Sequence, residues 1–558
     1  MGRLGHISYA LLFSLAVFTA LSWLWQQVSI HHDNPPLWLI GLAAASLALS
    51  ACRIPTIVWL WWGLGLLSIL WSLTPGNTLA LGLWELAYLA AFAAGGWLVG
   101  FVGLNIVLLG YGLLTTLTLA WAGLVMYFSG SSHYVAGAQA MVLIPLAMVW
   151  VFRSRWPLLS GILLAGALYL ALLSGARAVY LPLTIITFLM VWRLWREGFA
   201  PWRIGLALDA VVAAVMAIDA ALPFSPVQNA WGLKASLTKQ VQDVAAEGSI
   251  GSRLQMWGQT LNIALQHPLG TGNGSFRDTL AAFLQYPGIL FSNAHNYYLK
   301  TAATGGWLRL LLLLAILGWL LWQGWSSSAW PWALGAAGLW ATLAFDVTGM
   351  YPAVMMLAFA SLGALQNQAK APLATSFSNK RIDWAIPVAG LVLAAGLAFW
   401  WYWPCEQNCA ISRYLGFRSA VLTELEQVSV SKREELLRDA ARLNPKSLWV
   451  YRTQLEYTQT PQEKLKLLQH IVEVFPLANP TYYLQLAELA VQLNRPKEAI
   501  QVLELGLSRF PINFTGYQSG NFFGMLTPSY ESWRARAPEL LEQLKKDKSF
   551  TGFLGICT

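Results

Sequence analysis

The chain has 558 residues, of which 57% are hydrophobic and only 11% charged, against about 25% charged in a soluble domain. That deficit, together with 30 tryptophans, excludes an ordinary soluble globular protein and points to an integral membrane protein with aromatic residues at its interfaces. The net charge of +9 does not call for a nucleic-acid partner, because most basic residues of the first 400 positions fall in short loops between apolar runs, where membrane topology accounts for them.

The apolar run Tyr9–Trp25 is long for a signal-peptide core and no A-x-A site follows it, so it reads as a retained first span. A bilayer-spanning helix needs about 20 mostly apolar residues. About thirteen runs qualify: 8–26, 36–52, 54–72, 79–98, 101–127, 134–152, 157–175, 178–195, 203–223, 297–323, 330–346, 349–366 and 384–403. With Arg3 on the cytoplasmic side, alternation places Arg53, Arg153, Arg155, Arg193, Arg196, Arg203, Lys370, Lys380 and Arg381 there too. The opposite short loops QQVSIHHDNPP, SLTPGNT and SGSSH carry no Lys or Arg; Arg177, in LLSGARAVYL, is the exception. The same alternation puts the loop 224–294 and everything after Pro404 outside the cytoplasm.

After Pro404 charged residues become common and apolar residues take helical spacing. EELLRDAARLNP, EKLKLLQHIVEVFP and EAIQVLELGLSRFP each read as an amphipathic helix ending in a proline (Pro445, Pro476, Pro511). The spacing is close to the 34-residue period of tetratricopeptide repeats. Such a domain is either a small solenoid packed on itself or a docking module for a partner. Cys405 and Cys409 pair if they face an oxidising compartment and are otherwise ordinary thiols; Cys52 and Cys557 have no assigned role. The expected fold class is an all-α polytopic membrane protein of about 13 transmembrane helices with a C-terminal TPR-like helical domain. Its divisions are 1–223 (N-terminal transmembrane helices), 224–294 (large outer loop with amphipathic helices), 295–404 (C-terminal transmembrane helices) and 405–558 (helical repeats).

Chemistry concentrates between Arg253 and Gly305. In GSRLQMWGQTLNIALQHP, Leu254, Trp257, Leu261 and Leu265 recur at helical spacing, which suggests an amphipathic helix on the membrane surface with Ser252 as N-cap and Arg253 in its first turn. An anion at that helix end would gain from the guanidinium and from backbone N–H groups; the plain alternative is a solvated arginine. Gly270, Gly272 and Gly274 make either a tight turn or a phosphate-cradling loop, without the Lys-Ser/Thr of a P-loop. His295 starts a helix running on through Tyr298 and Leu299, flanked by Asn293 and Asn296, which could orient its ring; histidine is the side chain suited to take a proton from a hydroxyl near neutral pH. Asn296, Lys300 and Arg309 are candidate supporting residues, the last two adding positive charge in the same helix. Arg309 lies within an apolar run and so requires a partner or a polar cavity. Arg177 is either a snorkelling interfacial residue or a grip on phosphate or pyrophosphate. There is no HExxH, no zinc-spaced Cys/His cluster and no GxSxG elbow, and the 224–294 loop holds only Asp243, Glu247 and Asp278 as acids. Arginines that neutralise a leaving pyrophosphate, and a histidine that activates an acceptor hydroxyl, suit transfer from a pyrophosphate-linked donor.

Three stretches, SGARAVYL, GSRLQMWGQTLNIALQHPLGTGNGSF and NAHNYYLKTAATGG, resemble the superfamily of bacterial O-antigen ligases, O-antigen polymerases and protein O-oligosaccharyltransferases over roughly residues 160–370. The resemblance implies a many-helix enzyme of the bacterial inner membrane that takes glycan from an undecaprenyl-pyrophosphate carrier on the periplasmic side, without metal or other cofactor. It implies that Arg177 and Arg253 bind the donor pyrophosphate and that His295 activates the acceptor. The last stretch and the C-terminal repeats look most like the protein O-oligosaccharyltransferases, many of which read AAETG where this chain reads AATGG, with Thr304 and Gly305. The implied acceptor is Ser or Thr of an exported, pilin-like protein docked by residues 405–558, with membrane lipids as surroundings. The alternatives are lipid A core or a second lipid-linked repeat unit as acceptor and, outside enzymes, a lipid or solute transporter with Arg177 and Arg309 lining its pathway.

Overall fold

The computed structural model describes residues 54–102, 133–153, 157–173, 177–221, 249–285, 293–345, 349, 352–368, 429–512 and 527–546. The expected spans 8–26, 36–52 and 384–403, nearly all of 101–127, residues 222–248 and 286–292 of the large loop, and Cys405 and Cys409 lie outside the described residues. Every regular element described is helical.

The first group of helices is α1 (Thr56–Leu67), α2 (Pro75–Val102), α3 (His133–Arg153), α4 (Pro157–Leu173), α5 (Arg177–Arg196) and α6 (Pro201–Ala221). The second is α7 (Ser249–Gln266), α8 (Phe276–Thr279), α9 (Tyr297–Gly305), α10 (Trp307–Trp325), α11 (Trp330–Thr342) and α12 (Pro352–Gln368). A proline opens α2, α4, α6 and α12, where its missing N–H costs nothing and its φ suits a first turn. Two of these helices, over Val179–Arg196 and Trp307–Trp325, are long and apolar enough to cross a membrane by themselves, and shorter apolar helices surround them. The chain is a helical membrane protein.

Its core is apolar side chains from α1 to α6 and α10 to α12, with Trp61, Trp84, Trp330 and Trp340 fully buried. Phe359 of α12 sits among Trp61, Tyr88 and Trp340, with ring centroids 5.2, 5.7 and 5.6 Å away. The closest helix pair is α2 with α12. Gly95 and Gly96 face the backbone of Ala360 and Gly363, and Gly363 faces Phe92, so any Cβ there would strike a carbonyl. Small residues let membrane helices gain dispersion contact where no hydrophobic drive exists between them. At one end of the bundle Arg153 and Arg193 converge on Glu197, which also accepts from Trp330 Nε1 at 2.7 Å.

The chain from 429 onward forms α13 (Val430–Leu443), α14 (Leu448–Tyr457), α15 (Pro461–Val474), α16 (Thr481–Gln492), α17 (Pro496–Arg509) and α18 (Thr527–Lys546). Each helix packs on its neighbour in sequence. The three proline-ended segments end as helices at Leu443, Val474 and Arg509, two residues before each proline, because the residue before proline is pushed out of the α region. Their separate core includes Leu468, Ile471, Phe475, Tyr483, Leu503, Phe510 and Trp533.

One expected span is divided. The run 297–323 breaks at Gly306, with φ 86° and ψ 164°, into the short α9 and the long α10. A Cβ at Gly306 would lie 2.7 Å from Leu269 C and 2.9 Å from Pro268 O, and Trp307 N donates to Pro268 O at 3.0 Å. The turn after α7 is wedged into the kink, and periodicity along a single helix does not reveal it. Gly306→Ala should therefore lower the thermal midpoint, with about 1–3 kcal/mol of backbone strain before any clash. Gly318→Ala, where nothing lies within 4 Å of the added carbon, should leave it unchanged or raise it. Thermal unfolding of the detergent-purified variants checks both.

Candidate active site

The end of α11 gathers the site. The last carbonyls of a helix lack intrahelical partners and form the negative end of its dipole. Here Leu343 O, at the C-cap of α11, accepts from Tyr297 N at 2.8 Å, and Phe345 O, in the turn three residues past the helix, accepts from Arg253 Nη1 at 2.8 Å. Trp257, one turn along α7 from Arg253, rests on the Phe345 ring at 6.3 Å between centroids. The start of α9 and the arginine of α7 are thus brought to one place by carbonyls at and just past the end of α11, far from both in sequence. Guanidinium carries five N–H donors, and among the described residues one of those of Arg253 is used, on the Phe345 carbonyl.

α7 begins at Ser249, so Ser252 is not its cap and Arg253 stands at the start of the second turn, where the dipole acts less on it. Met256, Gln259, Thr260, Ile263 and Ala264 are its buried face, while Leu254, Leu261 and Leu265 point away from the protein. The apolar row read from the sequence is the outward one.

His295 lies just before α9, 4% exposed. Its φ of 50° is left-handed, a conformation that costs a non-glycine residue about 1–3 kcal/mol and concentrates at functional sites. Asn293 Oδ1 accepts from His295 N at 3.2 Å, and Asn296 Oδ1 accepts from Leu299 N at 2.9 Å as the N-cap of α9. Both side-chain oxygens act on the backbone; they set the turn that presents the imidazole instead of bonding to its ring. Burial and the nearby positive charge of Arg253 lower the His295 pKa to about 4, so the ring is neutral at neutral pH and has a site for a proton.

The glycine turn is structural. Gly270, Gly272 and Gly274 all have positive φ. Thr271 N and Gly272 N donate to Ala303 O and Thr304 O, at 3.0 and 2.9 Å, satisfying the last carbonyls of α9. Gly270 N donates to His267 O at 2.8 Å and Asn273 N to Ser68 Oγ at 2.9 Å. With these amides committed, the turn is a cap for the helix behind His295 and not a phosphate cradle.

Arg309 belongs to α10 rather than to the helix of Lys300, and its partner is Glu85 of α2. Nη2 lies 2.6 Å from Glu85 Oε1, with both side chains at most 3% exposed. The Arg309 guanidinium also sits 4.3 Å over the Trp61 ring and donates from Nε to Trp61 O at 3.2 Å. The second carboxylate oxygen, Glu85 Oε2, accepts from Asn273 Nδ2 at 2.9 Å. Gly65 and Gly305 flank the guanidinium so closely that a Cβ at either would overlap it. Glu85 is the functional residue that sequence reasoning missed. Its signal was present, as the lone charge in the apolar run 79–98, an anion that could have been matched to one of the two cations, Lys300 and Arg309, of the run 297–323.

Lys300 lies on α9, half-buried. Arg177 is the first residue of α5, and its side chain lies outside the described residues. Among the described residues no three His, Cys, Asp or Glu side chains converge on one point.

The segment after α8 packs on the helices from 429 onward. Ala281 lies in the repeat core, with Ala282 and Leu284 packed against it. Lys446, in the α13–α14 turn, places its ammonium 4.4 Å over the Phe283 ring, whose other neighbour is His267, 4.9 Å away edge-on. Burial and then Lys446 lower the His267 pKa.

With this geometry in place, comparison with known proteins finds the family described as O-antigen ligase matching residues 162–314. The matched stretch takes in Arg177, Arg253, His295, Lys300 and Arg309 and leaves out Glu85 and the repeat domain. No curated protein and no solved structure matches the chain.

Glu85→Ala leaves a buried guanidinium without its counter-charge and should destabilise the protein by roughly 3–5 kcal/mol. The double variant Glu85→Leu/Arg309→Met should recover most of that loss. Thermal unfolding of the two purified variants, compared with the parent, reads out both effects.

Proposed function

We propose that this chain, a member of the O-antigen ligase superfamily through residues 162–314, transfers an oligosaccharide en bloc from undecaprenyl pyrophosphate to a Ser or Thr hydroxyl of an exported protein. The observation that supports this most directly is the buried, neutral His295 held beside Arg253. The membrane is the bacterial inner membrane, and the site and residues 405–558 face the periplasm, where the loop-charge alternation puts them.

In this reading Arg253, joined by Arg177, holds the donor pyrophosphate through charge-assisted hydrogen bonds. The acceptor oxygen attacks the anomeric carbon of the first sugar. The bond from that carbon to the phosphate oxygen breaks, and the undecaprenyl pyrophosphate leaves with the electron pair, stabilised by the arginines. The hydroxyl proton passes to His295. A histidine held near pKa 4 is a weak base; burial weakens it most, and the charge of Arg253 adds to that. A bound pyrophosphate offsets that charge and raises the basicity of His295 once the donor is in place. No metal is required for any of these steps.

A protein acceptor is supported by the repeat domain, anchored on the outer loop through Ala281 and Phe283. Extending a soluble module over a membrane site serves a macromolecular acceptor better than a sugar. The second reading, a glycan acceptor on lipid A core or on another carrier lipid, draws on the description of the matching family itself.

An in vitro assay with purified protein, lipid-pyrophosphate glycan and a panel of acceptors, in the presence of chelator, tests the proposal. Wild type should glycosylate a protein acceptor, and His295→Ala should lose on the order of 10²–10⁴ in rate with donor affinity retained. Removal of residues 405–558 should abolish transfer to protein while donor turnover persists; glycan found only on lipid A core or a carrier lipid would establish the second reading instead.

The pH profile provides a separate check. The acid limb of kcat/KM, which reports the free enzyme, should fall well below 6.5, near the pKa of about 4 held by burial and Arg253. The limb of kcat should lie higher, and Arg253→Gln should move the kcat/KM limb upward. An acid limb at 6.5 in every case would remove His295 as the base.

A further inference from the structure

Four polar residues line one side of α9. Tyr297, Lys300, Thr301 and Thr304 stand at i, i+3, i+4 and i+7, one face of a helix. Two of the hydroxyls turn back onto the helix: Thr301 Oγ1 donates to Tyr297 O at 2.8 Å and Thr304 Oγ1 to Lys300 O at 2.9 Å. Glu85 and Arg309 lie close enough to this face to act electrostatically on Tyr297, and Glu85 acts likewise on Lys300.

The charges do not balance. Lys300 and Arg309 are two cations and Glu85 is one anion. Both oxygens of Glu85 are already engaged, Oε1 by Arg309 and Oε2 by Asn273. Lys300 makes no ion pair or side-chain hydrogen bond with any described residue. An unpaired, partly desolvated cation is costly, and ionisable residues at membrane depth are generally there for function. α7, which packs against α9, also holds Gln259, fully buried with neither amide atom bonded. Lys300 lies four residues past the cap Asn296, roughly 6 Å along the helix, so the flexible four-carbon stem of a lysine can reach back toward the level of His295.

We infer that Lys300 binds a phosphate of the lipid-linked donor, supplying the counter-charge partner that the α9 polar face lacks. This rests on the transferase reading above and adds to it a cation on the helix that His295 precedes, one turn past its N-cap. The ammonium is a compact point charge suited to a phosphate oxygen. Arg309, fully paired with Glu85, is left as scaffold.

Four full-length proteins decide it: wild type, Lys300→Met, Lys300→Arg and His295→Ala. Methionine keeps the volume and removes the charge. Lys300→Met should raise the donor KM roughly tenfold to a hundredfold, the size of a lost charge-assisted hydrogen bond, with a smaller change in kcat, while Lys300→Arg stays within a few-fold of wild type. Inorganic pyrophosphate should raise the thermal midpoint of wild type and of His295→Ala, and that of Lys300→Met only at roughly tenfold to hundredfold higher concentration, because the arginines still bind it. Without ligand, the midpoint of Lys300→Met should equal or exceed that of wild type, because an unpaired cation has gone; a purely structural lysine would lower it. An active wild type with donor KM and pyrophosphate protection unchanged in Lys300→Met overturns the inference and leaves the transferase reading standing. Lysine-dependent pyrophosphate protection in a protein that transfers nothing supports the phosphate site and overturns the transferase reading. Protection by phosphatidylglycerol vesicles and not by pyrophosphate assigns Lys300 to a lipid headgroup and overturns the inference.

Discussion

The Glu85–Arg309 pair is the constraint on which the site depends. Desolvating two charges costs several kcal/mol each, and their attraction repays this only when geometry and supporting hydrogen bonds are good. Here every support is used: the Trp61 carbonyl and ring on the guanidinium, Asn273 on the second carboxylate oxygen, and two glycines that make room. The arrangement binds α1, α2, α10 and the glycine turn at one point. That turn caps α9 through Ala303 O and Thr304 O, and α9 carries His295 at its start. The position of the histidine is therefore inherited, through three short links, from an ion pair inside the apolar core.

The same pair sorts the positive charges by task. Arg309 is neutralised and buried, and serves as scaffold. Arg253 spends one donor on the Phe345 carbonyl just past α11, and its charge adds to burial in holding the neighbouring imidazole neutral. Under the transfer reaction proposed above, an anion at Arg253 strengthens the base beside it, so proton acceptance is linked to donor occupancy by electrostatics. A left-handed His295 between two asparagines that bond backbone rather than ring fits the pattern of strain kept at a site and compensated by its surroundings.

Much of the scaffold was legible because it rests on local rules. The apolar runs 54–72, 79–98, 134–152, 157–175, 178–195 and 203–223, where described, and the proline-terminated amphipathic helices after residue 429 are helical in the structure. Arg253 and His295 stood out by chemical type, and the structure brings them together. The failures were specific. The 297–323 run looked like one helix because an intruding turn at Pro268 and Leu269 leaves no trace in periodicity. Ser252 looked like a cap because serine is a good one, yet the helix starts earlier. The asparagines looked like partners for the imidazole because they flank it, but short amides reach their own backbone first.

What the sequence alone determined is everything that depends on neighbours a few residues apart: helix class, membrane character, the proline punctuation, and which residue types were available for chemistry. These follow from hydrophobic burial and backbone sterics acting over one or two turns. What only the tertiary structure decided is which distant groups meet. Glu85 finds Arg309, Arg253 finds Phe345 O, and the glycine turn finds the end of α9. Burying a charge or a helix end demands some partner, and the packing of whole helices, rather than the pattern along any one of them, selects which partner it is.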